Sequence, residues 1–301
     1  MKFSIVIPAY NYADVVERAV RSACTQTGVD DYEVLVIDDG STDDTAQVVA
    51  RLMMQYSPRL NAIFQENAGP AQVRNRAIAE TRGDYLVFLD ADDELLGDAL
   101  LTFSRALETP GEGSECPAIA IAPPISVFGD GREAIAPVPE LADSRADRVI
   151  DLLEKRLRLS NGSIALHRRV FDNIRFNPAL RQVEDIPVFA RVLANFDAIV
   201  VHSPVVKIHK HGDSLRHNAD ASLRIGLSVV DDIFGQGDMP SDVLAYRQTY
   251  EARRCLSLAR QCFRAKRKTE GRRWFHEAVR RDWRTLLQSS YTLKYLRSFL
   301  R

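Results

Sequence analysis

Apolar residues form short solid runs in the first hundred positions, separated by stretches where they recur every three or four residues. Phe3 to Pro8 (FSIVIP) reads as a strand buried on both faces, and residues 12–27 read as a helix burying Val15, Val16, Ala19, Val20 and Ala23. Tyr32 to Asp39 (YEVLVIDD) is a second strand. A helix is expected after Ser41 and Thr42, with Asp43 and Asp44 in its first turn, where the helix dipole favours acids. Asn61 to Gln65 reads as a third strand, Pro70 to Thr81 as a helix opened by proline, and Asp84 to Asp90 (DYLVFLD) as a fourth strand. This alternation predicts an α/β fold whose mostly parallel central sheet is flanked by helices through right-handed crossovers. Ligands of such sheets bind beyond the carboxyl ends of the strands.

Proline and glycine punctuate residues 109–140, which read as short strands and loops. A second α/β stretch follows, with a strand at Ser163 to His167, a helix from Ile186 to Asn195, and strands near 198–201 and 204–209. From Ala219 onward the pattern is helical. The expected organisation is a unit over 1–218, in halves 1–95 and 96–218, followed by a helical region over 219–301. No apolar run reaches the roughly 18 residues of a membrane span, and the start lacks the apolar stretch and cleavage site of a signal peptide. Cys24, Cys116, Cys255 and Cys262 show no paired or metal-ligand spacing. A reducing, cytoplasmic setting is therefore expected.

Composition adds little until charge is mapped along the chain. With 301 residues, 46% hydrophobic and 27% charged, disordered and disulfide-scaffold classes are excluded. The net charge of −1 conceals a split: residues 247–301 hold 16 Lys and Arg against 4 Asp and Glu, leaving 24 against 37 before them. Cys255, Leu258, Ala259, Cys262 and Phe263 share one helical face, and Phe275, Val279, Trp283 and Leu286 make a similar stripe in the next helix. Core packing accounts for those stripes but not for the surplus arginines. No helix-turn-helix, zinc or RNA-recognition signature accompanies the charge, so nucleic acid is not an expected partner. An anionic membrane surface is, reached from the inner face of the membrane, with solvated helix faces or contacts to another subunit as the alternatives.

Four strand-end motifs carry candidate chemistry. IVIPAYN places Pro8, Ala9 and Tyr10 at the end of the first strand, where the ring of Tyr10 could stack on a base or sugar. VIDDGSTDDT sets Asp38 and Asp39 side by side before Gly40, and a carboxylate there can accept hydrogen bonds from a base or ribose. FLDADDELL ends the fourth strand in Asp90, Asp92 and Asp93; aspartates at alternate extended positions can serve one divalent ion, and hard cations such as Mg²⁺ or Mn²⁺ prefer oxygen donors shared with substrate phosphates. QVEDIPV sets Glu184 and Asp185 just ahead of an apolar helix, where they could also be an ordinary acidic helix start.

The ordered set IVIPAYN, VIDDGSTDDT, NAGPAQVRNRA, DYLVFLDADD, the Glu184-Asp185 pair and HKHGDS resembles a family 2 glycosyltransferase of the GT-A fold, a Rossmann-like architecture, from residue 3 to about 216. The resemblance implies that Pro8, Ala9, Tyr10 and Asp39 hold the base and ribose of a nucleotide sugar, and that Asn67 and Arg74 orient the donor and steady the carboxylates of the Asp90-Ala91-Asp92 motif. It implies that Asp92 ligates Mg²⁺ or Mn²⁺, with Asp90 on a ribose or ligand water, and that His211 approaches the metal or diphosphate. Glu184 falls on the donor side and Asp185 at the catalytic base. No QxxRW segment is present, which points to transfer of one sugar rather than polymerisation. The implied reaction is an inverting, metal-dependent transfer from a UDP-sugar or dTDP-rhamnose to a glycan or glycolipid in surface polysaccharide or lipopolysaccharide assembly. Two other classes use similar features: a nucleotide-sugar hydrolase, and an anionic-surface binding protein on a degenerate transferase fold. A DxDxT phosphatase is excluded because Glu94 stands where that motif needs Thr or Val.

Overall fold

The computed structural model describes residues 1–108, 116–210 and 219–299. The strands are β1 (Phe3–Ala9), β2 (Tyr32–Asp38), β3 (Leu60–Phe64), β4 (Tyr85–Phe88), β5 (Glu94–Leu95), β6 (Ile119–Ile121), β7 (Ile125–Val127), β8 (Glu133–Ile135), β9 (Ile164–His167), β10 (Ala198–Val200) and β11 (Val206–His209). The helices are α1 (Val16–Cys24), α2 (Thr45–Tyr56), α3 (Pro70–Glu80), α4 (Ala99–Glu108), α5 (Arg145–Glu154), α6 (Asp185–Asn195), α7 (Ala219–Ile225), α8 (Ser228–Phe234), α9 (Ser241–Ala245), α10 (Arg247–Arg264), α11 (Lys268–Arg281) and α12 (Ser289–Arg297).

Among the described residues the central sheet has seven strands in the order β10-β6-β9-β4-β1-β2-β3. β1 runs parallel to both β2 and β4, and β2 parallel to β3. The solid apolar runs follow from burial on both faces. In β1, Val6 enters the core on one side, and Phe3, Ile5 and Ile7 that on the other. β2 and β4 split in the same way, with Leu35, Ile37, Leu86 and Phe88 on the first side and Val34, Val36, Tyr85 and Val87 on the second. β9 is antiparallel to both β4 and β6, so the sheet is mixed beyond β4. A second sheet, β5-β11-β7-β8, forms beside the end of β4.

Several boundaries differ from expectation. α2 begins at Thr45, so Asp43 and Asp44 precede it, and Asp43 instead accepts a hydrogen bond from the Thr45 backbone at 3.0 Å. β4 stops at Phe88 and the chain turns, with the Asp93 amide donating to the Asp90 carbonyl at 3.0 Å. Asp90 and Asp92 therefore lie in a turn rather than at extended positions. Trp283 and Leu286 fall beyond the end of α11 in a short 3-10 turn and are exposed, so only Phe275 and Val279 of that stripe face inward. α4 and α5 are additional helices on the sheet's two faces: Leu100 and Phe103 join one core, Val149 and Leu152 the other.

Candidate active site

β3 to β4 carries the chain from one side of β1 to the other, leaving a crevice above the carboxyl ends of β1, β2 and β4. The expected residues gather there from separate elements. At the end of β2, the buried Asp38 accepts from the Ser41 amide at 3.2 Å and binds its hydroxyl, while the Asp39 amide donates to the Ala9 carbonyl at 2.9 Å. The Asp39 carboxylate is largely committed to the protein, accepting 2.8 Å bonds from the Gln65 side chain and from the amides of Ala68 and Gly69. A carboxylate has about four acceptor positions, so one remains open. Asn67 donates to the Asp39 carbonyl at 3.0 Å and accepts from Arg181 at 3.2 Å. Pro8 and Ala9 line the end of β1, and the Tyr10 ring stands exposed at the rim.

The second cluster centres on Arg74, which α3 buries almost completely. Its guanidinium pairs with Glu184 and reaches Asp90 at 3.4 Å. Burial opposes its charge, but Glu184, Asp90 and Asp185 together hold it above its ordinary pKa. Asn161 donates to the same Asp90 oxygen at 3.3 Å, and the Phe176 ring lies 5.6 Å from the guanidinium carbon. Glu184 is itself buried, which explains why the pair needs Arg74: removing one partner of a buried ion pair typically costs about 3–5 kcal/mol.

Asp185 opens α6, where the helix dipole offers a carboxylate up to about 1 kcal/mol. Burial and the neighbouring Glu184 charge outweigh both this and Arg74, and push Asp185 up to about 6. Just before this pair, Val183 has φ 55°. The left-handed region is costly for a β-branched residue, about 1–3 kcal/mol, and such strain concentrates at functional sites.

The acidic turn after β4 is pinned by the small sheet. The His209 amide donates to Asp93 at 2.9 Å, and its ring meets Glu94 at 3.3 Å. Burial, followed by the charges of Asp90 and Asp92, pushes the Asp93 carboxyl up to about 8. His211 lies outside the described residues, although β11 brings the chain to Asp93 two positions earlier. Asp90 and Asp92 offer only oxygen donors, and the crowding felt by Asp93 is what a cation would relieve, so the residues fit a hard divalent ion. Among the described residues no group of three His, Cys, Asp or Glu converges as a complete ligand set. Such a partial set is the kind that substrate phosphates complete.

Several site residues carry no motif. Burial, then the charges of Asp92, Asp90 and Asp93, push the Tyr12 phenol up to about 12, so it lies within electrostatic reach of the acidic turn. Asn161 comes from the loop before β9, and Tyr250 comes from α10, where burial and the Asp185 charge raise its pKa. Only the second aromatic in AYNY hinted at Tyr12; no local signal marks Asn161 or Tyr250.

The family model described as glycosyl transferase family 2 matches residues 4–174. The chain belongs to that family. It is 33% identical over 282 residues to the succinoglycan biosynthesis protein ExoU of Rhizobium meliloti (strain 1021), covering 85% of this chain and 79% of ExoU. A poly(ribitol-phosphate) beta-glucosyltransferase of Bacillus spizizenii is 37% identical over 106 residues, 34% of this chain and only 16% of that relative. In fold the family 2 chain is similar to S. aureus TarS 1–349 in complex with UDP-GlcNAc, with a TM-score of 0.68 at 19% identity over 99% of this chain and 89% of that one. It is also similar to the mannosyltransferase PcManGT from Pyrobaculum calidifontis in complex with GDP-Man and Mn²⁺, with a TM-score of 0.59 at 17% identity over 99% and 87% of the two chains. The protein is thus a glycosyltransferase with a GT-A-like fold, and among its described residues no helix is long and apolar enough to cross a membrane.

Proposed function

We propose that this glycosyltransferase moves a single sugar from a UDP-sugar or dTDP-rhamnose to a hydroxyl of a glycan or glycolipid in cell-surface polysaccharide or lipopolysaccharide assembly, with inversion at the anomeric carbon. The observation that carries this reading is the convergence of Asp185, with its carboxyl pushed up to about 6, on Arg74 and Asp90 at the sheet's carboxyl edge. The names of ExoU and of the glucosyltransferase relative favour a surface glycan, and the UDP-GlcNAc held by TarS and GDP-Man held by PcManGT favour a nucleotide-sugar donor. Uracil and thymine offer the same pairing edge to the free acceptor position of Asp39, so dTDP-rhamnose fits as well. Residues 1–95 are assigned to the donor, 96–218 to the acceptor side and 219–301 to a basic helical region, with the inner face of the membrane as the setting where lipid-linked acceptor is met.

Pro8, Ala9 and Tyr10 would cradle the base and ribose, and Asn67 and Arg74 would orient the diphosphate. Asp92, with Asp90 behind it, would hold Mg²⁺ or Mn²⁺, which when bound neutralises charge on the leaving diphosphate. Asp185 takes the proton of the acceptor hydroxyl as its oxygen attacks the anomeric carbon and the sugar–phosphate bond breaks. A carboxyl near 6 suits this work: ionised at neutral pH, yet basic enough to accept a proton. One base and direct attack by the acceptor invert the centre.

Asp185→Asn tests the assignment. Transfer should fall by about 10²–10⁴ while the donor's KM stays unchanged. Equal loss of donor binding would make Asp185 structural instead. Sugar release without acceptor at the same rate as with it would identify a hydrolase.

A further inference from the structure

The surplus of arginines near the C-terminus shrinks once their partners are seen. Arg253 pairs with Glu154 at 2.7 Å, Arg247 with Asp231 at 2.5 Å and Glu251 at 3.0 Å, and Arg267 with Asp220 at 2.5 Å. Arg254 is turned inward, donating to the Gly226 carbonyl at 3.0 Å. These side chains hold the helices to the rest of the molecule and cannot also face a partner at full strength.

Three of the remaining cations, Arg284, Lys294 and Arg297, fall within residues 283–299, beside a set of apolar side chains. Trp283, Leu286, Leu287, Leu293, Leu296 and Phe299 are all exposed there, Leu287 by 73% and Trp283 by 63%. None of the nine residues of α12 is buried. The helix is nevertheless anchored: Tyr295 stacks on Phe275 at 4.3 Å between ring centres, and Thr292 donates to the Leu286 carbonyl at 2.8 Å, which ties α12 to the preceding turn. Tyr291 and Tyr295, four apart, form the inward face that packs on the small core of α10 and α11. Leu293 and Leu296, three apart, form the opposite face and point to solvent. Arg284, Lys294 and Arg297 intersperse this apolar set, no ion pair holds them among the described residues, and no Asp or Glu occurs between 283 and 299.

We infer that the 283–299 turn and helix form a surface that docks on an anionic lipid bilayer, with Trp283, Leu293 and Leu296 entering the headgroup boundary and Arg284, Lys294 and Arg297 on the lipid phosphates. The charge pattern selects this occupant. A second copy of the same face would bring cation against cation, and a nucleic acid would leave the apolar side chains in water. A bilayer with acidic headgroups satisfies both halves at once, each basic residue adding about fivefold in affinity. Docking rests on the proposed transfer for its purpose alone; lipid binding is read without donor or acceptor, so the two readings fail separately.

The experiment is co-sedimentation of the intact chain with phosphatidylcholine vesicles, with and without phosphatidylglycerol. Binding is expected only with the anionic lipid, weakening as salt rises and accompanied by a blue shift of tryptophan emission that Trp283→Phe reduces. Leu293→Ser with Leu296→Ser should lower partitioning by at least about tenfold, and Lys294→Glu with Arg297→Glu should remove the preference for anionic vesicles. These side chains lie at the surface, so an unchanged melting temperature confirms that each variant is folded. Equal binding to both vesicle types, no binding, or variants that bind like the parent would overturn the inference. So would a dimer that the serine pair dissociates, since a second copy would then own the face.

Discussion

At the residue scale, Asp185 is where local preference and tertiary environment disagree most. The first turn of a helix stabilises a carboxylate, yet burial and Glu184 win and hold the group up to about 6. A raised carboxyl binds its proton more tightly in the folded state, so the protein is stabilised by it below the ordinary carboxylate range and loses that stability as pH rises through about 6. Two outcomes follow for measurement. The transfer rate should fall about tenfold per pH unit below about 6, as the base becomes protonated, and this limb should appear in the profile of kcat/KM. In urea denaturation, Asp185→Asn should be more stable than the parent by on the order of 1 kcal/mol at pH 7, with the gap narrowing as pH falls through about 6 and closing near about pH 4. A constant gap across that range would mean that the carboxyl is not strained. The Glu184-Asp185 dipeptide was legible as a helix start in the sequence; its pairing with Arg74 was not, because the partners stand 110 positions apart.

At the element scale, the strand ends are shaped by what meets them across the crevice. Gly40 lets β2 turn with φ 73°, and a Cβ there would sit 2.8 Å from the Asn67 amide nitrogen, which is backbone and cannot swing aside. Gly40→Ala should therefore displace the 65–69 loop and lower stability by more than about 1 kcal/mol, and its KM for donor should rise because Asn67 lies in that loop and Asp39 is bonded to it. Wild-type stability and KM in this variant would show that the approach is loose. Alternation of apolar residues located β1, β2, β3 and α3 to within a residue or so because strands covered on both faces need continuous apolar runs. The same reading carried β4 two residues too far and placed the aspartates at extended positions. The cause is the local Asp93–Asp90 turn together with the capture of Asp93 by β11, the latter a contact between residues 116 positions apart.

At the scale of the whole molecule, the segment from α7 to α9 is part of the fold's interior. Ile225, Val229, Val230, Ile233, Phe234, Met239 and Val243 lie in the same core as Val6, Leu86 and Phe88 of the central sheet. At about 1.5–3 kcal/mol for each buried apolar side chain, their loss would remove more than about 10 kcal/mol, comparable to the whole stability of a domain. A chain ending at residue 218 should accordingly lack the near-ultraviolet circular dichroism of the intact protein; a native spectrum and cooperative melting would contradict this. The sequence by itself determined the α/β class, the order of the early strands and helices, and the family, because both-face burial, helical periodicity and strand-end aspartates are local patterns. Only the tertiary structure decided that Arg74 joins Asp90 to Glu184, that Asn161 reaches the acidic turn, that Arg247, Arg253, Arg254 and Arg267 are spent on internal partners, and which apolar side chains are left facing out. Each of those depends on which distant segments burial brings together, and charge and burial at one point are sums over neighbours that no single stretch of chain contains.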